Sequence, residues 1–153
     1  MCGATMPTFN NYLEYEKTKK EFFDKLYEDM GMTVISRKDC KEYDCILGYK
    51  NRRFTVEEKA RMSVWGDILV ETVQDTKTDK PGWIYYSKAD FLVYGMFGEK
   101  TKVYRLRLKK FQEWFGLCIK HFKTKISKKG WGITENKVVP IPEIPTEIIA
   151  RIK

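Results

Sequence analysis

The spacing of apolar residues changes period twice along this chain, and that change constrains the fold more than any other feature. Over residues 8–30, Tyr12, Tyr15, Phe22, Phe23, Leu26 and Met30 fall on one face at helical spacing, with Lys19 near the middle of the stripe and Glu16 on its border. Thr8 or Asn10 suits the start of this helix and Gly31 the position just past its end. Strand patterns follow at residues 32–36, 44–49, 53–62, 68–73, 83–86, 90–95 and 102–107, with a turn at Asn51-Arg52 and another at Gly98-Glu99-Lys100. Pro81-Gly82 is a further turn signal. Residues 109–123 return to helical spacing, with Phe111, Trp114, Phe115, Cys118 and Phe122 along one side. Helix, consecutive strands and helix together predict an α+β fold around one mostly mixed sheet.

The 153 residues suit a single domain with a sizeable core. Residues 8–135 read as that domain, and 136–153 as a Pro-rich arm (Pro140, Pro142, Pro145) with a short helical turn capped by Thr146. Hydrophobic residues at 42% and aromatics at 14% exclude a disordered chain. No apolar run approaches the roughly 18 residues of a membrane span. The N-terminus lacks a basic and apolar signal pattern, and Cys2, Cys40, Cys45 and Cys118 have no metal-ligand spacing. Reduced thiols in a cytoplasmic protein are therefore expected. Loops for nucleotide phosphates, dinucleotide fingerprints and serine-hydrolase elbows are absent, and His121 is the only histidine, so no triad is supported.

The chemistry concentrates between Asp44 and Lys59. Period-2 alternation places Thr55, Glu57, Lys59 and Arg61 on one strand face, and Phe54, Val56, Glu58 and Ala60 on the other. Glu57 and Lys59 thus project the same way, one pleat apart. Two carboxylates in a polar cleft repel, and oxygen-only ligands favour Mg2+ or Mn2+ over zinc. A neighbouring lysine orients water, assists its deprotonation or neutralises charge developing on phosphorus. These are the parts that metal-assisted phosphodiester hydrolysis needs. The competing interpretation of Glu57 and Lys59 is a charge pair on a solvated sheet face, which contributes little to stability.

Asp44, twelve intervening residues and then Glu57-Glu58-Lys59 on the next strand of a hairpin resemble the PD-(D/E)XK, or restriction-endonuclease-like, nuclease superfamily. The flow from Glu58-Lys59-Ala60-Arg61 through Gly66–Glu71 to Pro81-Gly82-Trp83 is similar to its small phage or bacterial members. The resemblance spans roughly residues 8–123, but rests on specific residues only within 44–59. Tyr43 stands where the superfamily's name has proline. It implies a three-layer α/β/α core with a mixed β-sheet, Asp44 and Glu57 as metal ligands, and Lys59 assisting the attacking water. It further implies Glu16 as an auxiliary acid from the first helix, Glu71 as a further carboxylate, and possible homodimers that cut both strands.

The formal charge of +8 favours a polyanionic partner. Arg105, Arg107, Lys109, Lys110, Lys120, Lys123, Lys125, Lys128 and Lys129, interleaved with Trp114, Phe122 and Trp131, fit a DNA-phosphate groove. They also fit the solvated face of a basic helix. Two functions remain open: a divalent-metal-dependent DNA endo- or exonuclease, and a non-catalytic nucleic-acid- or protein-binding module on the same scaffold.

Overall fold

The first periodic stretch forms helix α1 (Phe9–Asp29) in the computed structural model of the protein. That structure describes residues 9–37, 40, 42–129 and 132–153, without the side chains of 9–13 and 129. The suggested cap at Thr8, the side chains of Asn10, Tyr12 and Lys129, and the whole of Cys2 and Trp131 lie outside the described residues. Phe23, Leu26 and Tyr27 bury the apolar stripe of α1. Gly31, at φ +80°, ends the helix, with Gly31 N donating to Glu28 O and Met32 N to Tyr27 O. This pair of bonds satisfies carbonyls that the helix leaves open, and a left-handed residue suits glycine.

Strand β1 (Thr33–Ser36) follows, then β2 (Cys45–Tyr49) and β3 (Arg52–Arg61), which form a hairpin in register Cys45↔Val56 to Tyr49↔Arg52. Its two turn residues are Lys50 and Asn51, both at positive φ, as the twist of a tight hairpin requires. The turn lies one residue earlier than the spacing suggested. The chain then crosses into a second sheet through β4 (Asp67–Asp75) and β5 (Lys80–Pro81), makes one helical turn, α2 (Trp83–Tyr86), and returns as β6 (Phe91–Met96). Strand β6 lies parallel to β3 and antiparallel to β7 (Lys102–Arg107). Helix α3 (Leu108–Cys118), a 3-10 turn at Ile119–His121 and the hairpin of β8 (Lys123–Lys129) and β9 (Gly132–Pro140) follow. Strand β10 (Ile149–Arg151) pairs with β7.

The protein is therefore α+β, with a six-stranded mixed sheet ordered β1-β2-β3-β6-β7-β10 and a four-stranded antiparallel sheet ordered β5-β4-β9-β8. Helix α1 packs on the face of the larger sheet that carries Cys45, Leu47, Val56, Val93 and Val103. Leu92, Tyr94, Met96 and Leu106 point the other way, into a core shared with α2, α3, Ile68 and Val70 of β4, and Val139 of β9. No helix among the described residues is long and apolar enough to cross a membrane.

Three expectations are corrected. Residues 83–86 form a helical turn rather than a strand, because consecutive Trp83 and Ile84 both enter the core, which alternation along a strand forbids. The helix expected over 109–123 ends at Cys118, with a 3-10 turn at Ile119–His121 and Lys123 already in β8, which pairs with β9. The turn expected after Thr146 forms over residues 146–148, with Ile148 N and Ile149 N donating to Pro145 O, but from Ile149 it gives way to strand β10, whose backbone completes the edge of β7. At Gly82, a Cβ would stand 2.0 Å from the Glu71 carbonyl oxygen, and Gly82 N is tied to Thr72 O at 3.0 Å. Gly82→Ala is expected to lower the unfolding free energy by about 3 kcal/mol, because backbone must move to admit the methyl group. A urea melt superimposable on that of the wild type would contradict this.

Candidate active site

The register of the β2–β3 hairpin builds the site. Cys45 and Val56 are partners and both face α1, so the next positions, Asp44 and Glu57, turn together to the opposite face. The backbone holds Asp44 at both ends: its N–H donates to Val56 O at 2.8 Å, and its Oδ2 accepts from Glu58 N at 2.6 Å. Glu57 is buried, 5% exposed. Its Oε2 lies 3.2 Å from Lys59 Nζ, and its Oε1 accepts from Ser87 Oγ at 2.8 Å. Ser87 terminates α2, and Gln112 of α3 fixes that turn by donating to the carbonyls of Ile84 and Ser87. Lys59 Nζ also sits 5.8 Å from the centre of the Trp83 ring. A hairpin supplies the charged groups, and the crossover supplies a lining of Trp83, Tyr86 and Ser87.

Electrostatics follow from this burial. Asp44 is pushed up to about 6, chiefly by burial and then by the Glu57 carboxylate, with the Glu58 N–H and Lys59 acting in the other direction. Burial pulls Lys59 down, but the charges of Glu57 and Asp44 outweigh it and leave the amine raised, so it is an ammonium at neutral pH. Tyr86 is raised by burial; Lys59 opposes the shift, while Glu57, Glu71 and Asp44 add to it.

The raised pKa of Asp44 means that the folded chain holds its proton more tightly than the unfolded chain, where the value is about 3.9. Its contribution to stability is complete below about pH 4 and is lost as pH rises through about 6. Asparagine can still accept from Glu58 N–H and carries no charge. Without divalent cations, the melting temperature of Asp44→Asn relative to wild type is therefore expected to rise between about pH 4 and pH 7. A flat or falling difference in paired thermal melts would refute the assignment.

The other expected site residues divide. Glu71 is half-buried on β4, and its charge acts on Tyr86, which places it at the margin of this cluster. Glu16 is paired with Lys19 at 3.1 Å on α1, and α1 covers the reverse face of the sheet, so the fold does not bring Glu16 to Glu57. The basic set is split as well. Arg105 and Arg107 line a cleft on the α1 side, whereas Lys123, Lys125 and Lys128 are exposed on β8, the edge of the smaller sheet, and Lys120 is exposed on the 3-10 turn. Lysines along an edge strand also discourage pairing with other chains.

Sequence reasoning missed Ser87, Tyr86 and Trp83, which reach the site only through the crossover. It also missed a second charged cluster behind the first. Glu58, 6% exposed, accepts from Tyr27 Oη at 2.7 Å and from the Arg37 guanidinium at 2.7 and 2.9 Å, and Arg37 Nε donates to Asp24 at 2.7 Å. Consecutive glutamates on β3 thus have different surroundings: Glu57 faces the candidate site, while Glu58 ties α1 and the segment before β2 to the sheet.

Asp44 and Glu57 supply oxygen donors only, and the charge each imposes on the other is what a cation relieves. Among the described residues no three His, Cys, Asp or Glu side chains cluster to ligate a metal by themselves. Two carboxylates suit Mg2+, which is commonly held by one or two of them together with water and substrate phosphate. No family model, curated protein or solved structure matches this chain.

Proposed function

We propose that Asp44, Glu57 and Lys59 form the active site of a divalent-metal-dependent nuclease acting on DNA, on a restriction-endonuclease-like three-layer core. One observation carries this reading: hairpin register puts two carboxylates on one face, one of them with a raised pKa, and an ammonium lies 3.2 Å from the other. The order α1, β1, β2, β3 and then a parallel strand, β6, reached by a crossover is consistent with it. The second outer layer combines α2 and α3 with a small sheet, an elaboration of the simpler three-layer arrangement.

Asp44 and Glu57 would hold Mg2+ or Mn2+. A bound cation supplies positive charge at the scissile phosphate and makes water a better nucleophile. The chain's own groups do the rest. The Glu58 N–H fixes the orientation of Asp44, and Ser87 fixes that of Glu57. Lys59 is protonated, so it acts as a charge that stabilises the developing oxyanions and not as the base that takes a proton from water. The buried Trp83 ring backs the lysine at 5.8 Å.

A second reading has an observation of its own. Both Glu57 oxygens already have partners, Lys59 and Ser87, so the site is satisfied as a structural charge pair in a module that binds nucleic acid without cutting it. The deciding experiment incubates labelled linear, nicked and branched DNA with the protein, with and without Mn2+, and follows the melting temperature as Mn2+ is added. Metal-dependent cutting together with metal-dependent stabilisation supports the nuclease. No cutting and no stabilisation, with DNA still retained at low salt, supports the binding module.

A further inference from the structure

The sheet has a second uncovered region, on the face opposite Glu57. Beside Tyr27 of α1 and Met30, a cleft of about 770 Å³ opens over residues of β2, β3, β6 and β7. Its floor is apolar and aromatic: Phe54 and Phe91, both half-buried, meet edge to face at 5.5 Å between centroids, beside Val56 and Val93. Its charge is one-sided. Arg52, Arg53, Arg105, Arg107, Lys109 and Lys110 line it, against a single carboxylate, Asp90, which is already engaged by Thr55 N at 2.9 Å. Arg105 lies over the Phe91 ring at 5.5 Å, and its Nε is buried without a hydrogen-bond partner. A buried donor left open is costly unless something fills it.

These features select among anions. Six cationic side chains exceed what one carboxylate needs and suit phosphate, which arginine binds in fork geometry. A ring face from this edge-to-face aromatic pair, next to the cations, suits a planar base. We propose that this cleft binds a nucleotide unit, with its phosphate on Arg105 and Arg107 and its base against Phe54 and Phe91. Val56 lies in the cleft floor while Glu57, the next residue on β3, faces the other way, so the two sites stand back to back. The nucleotide held here is not the one positioned at Asp44 and Glu57, and the proposal stands independently of the nuclease reading.

The chemistry is shared by a free nucleotide and by a nucleic-acid strand, and the test separates them. Titration calorimetry in EDTA, which removes any role for divalent metal, would use adenosine 5′-monophosphate, a 5′-phosphorylated tetrathymidylate and palmitate. Binding of either nucleotide probe is expected to weaken about tenfold or more in Arg105→Gln, the effect of losing one charge-assisted phosphate contact. A comparable loss is expected in Phe54→Leu from stacking. The exposed Arg107→Gln gives a second reading should Arg105→Gln fail to fold. Lys77→Ala, which removes one exposed charge away from the cleft, is expected to change binding less than twofold. Binding of the mononucleotide identifies a small-molecule site, and binding of the tetranucleotide alone identifies a strand anchor; both support the proposal. Equal weakening by Lys77→Ala, palmitate as the sole ligand, or no binding of either nucleotide probe would overturn it.

Discussion

Lys59→Ala is expected to reduce metal-dependent DNA cleavage about a thousandfold while leaving Mn2+ binding intact, the loss typical of removing one preorganised electrostatic contact. The lysine is 3.2 Å from Glu57 Oε2 and is kept protonated by Glu57 and Asp44. It competes with a cation for the same carboxylate, so its removal cannot weaken metal binding by withdrawing a ligand. Parallel calorimetry with Mn2+ and single-turnover cleavage separate the two effects. Loss of cleavage with metal binding retained fits a charge acting on the transition state. Undiminished cleavage would remove Lys59 from the active site, and loss of metal binding would mean that it orders the carboxylates.

Glu58→Ala is expected to be the most destabilising single change on β3, by about 3–5 kcal/mol, although Glu58 has no part in the proposed chemistry. Truncation removes the acceptor of four hydrogen bonds and leaves the Arg37 guanidinium, the Tyr27 hydroxyl and the Cys45 thiol without it. Burial opposes the charge of Arg37, but Glu58 and Asp24 outweigh this and hold it fully protonated, so removing Glu58 leaves a cation with Asp24 alone against it. Glu58→Gln keeps an acceptor and is expected to cost less. Glu57→Gln retains a neutral acceptor for Ser87 and Lys59 and relieves repulsion on Asp44, so it is expected to change stability little. Urea melts of the three variants check the order. If Glu57→Gln destabilised more than Glu58→Ala, the inside and outside of β3 would be misassigned.

The hairpin was legible in the sequence for a definite reason. Side chains alternate along a strand, so the spacing from Asp44 to Glu57 and Lys59 carried their shared face with it, and the structure keeps that alternation. The fate of Glu58 was not legible, because a central strand covered on both faces has no polar side, and nothing local distinguishes the glutamate that meets Arg37 from the one that meets Lys59. Trp83-Ile84-Tyr85-Tyr86 has strong strand propensity, yet forms a helical turn because Gly82 passes against the Glu71 backbone and two adjacent apolar residues both enter the core. Residues 123–129 continue a basic helix in composition, but their Lys-Thr-Lys-Ile-Ser order already alternates. The split of the basic residues between two sides of the protein follows from the crossover and has no signature in spacing.

The parallel pairing of β3 with β6 also sets an order of events during folding. The β2–β3 hairpin closes through a two-residue turn and gathers Asp44, Glu57 and Lys59 by local contacts alone. Ser87, Trp83 and strand β6 arrive only after the intervening β4, β5 and α2 have been threaded across, a long loop closure that precedes any reward from its contacts. During synthesis the three charged groups are thus assembled on the nascent chain while the residues that enclose them are still being translated. The proposed activity is therefore expected to appear with the slow, nonlocal phase of folding, because a chain stalled before β6 holds the three charged groups without the residues that enclose them.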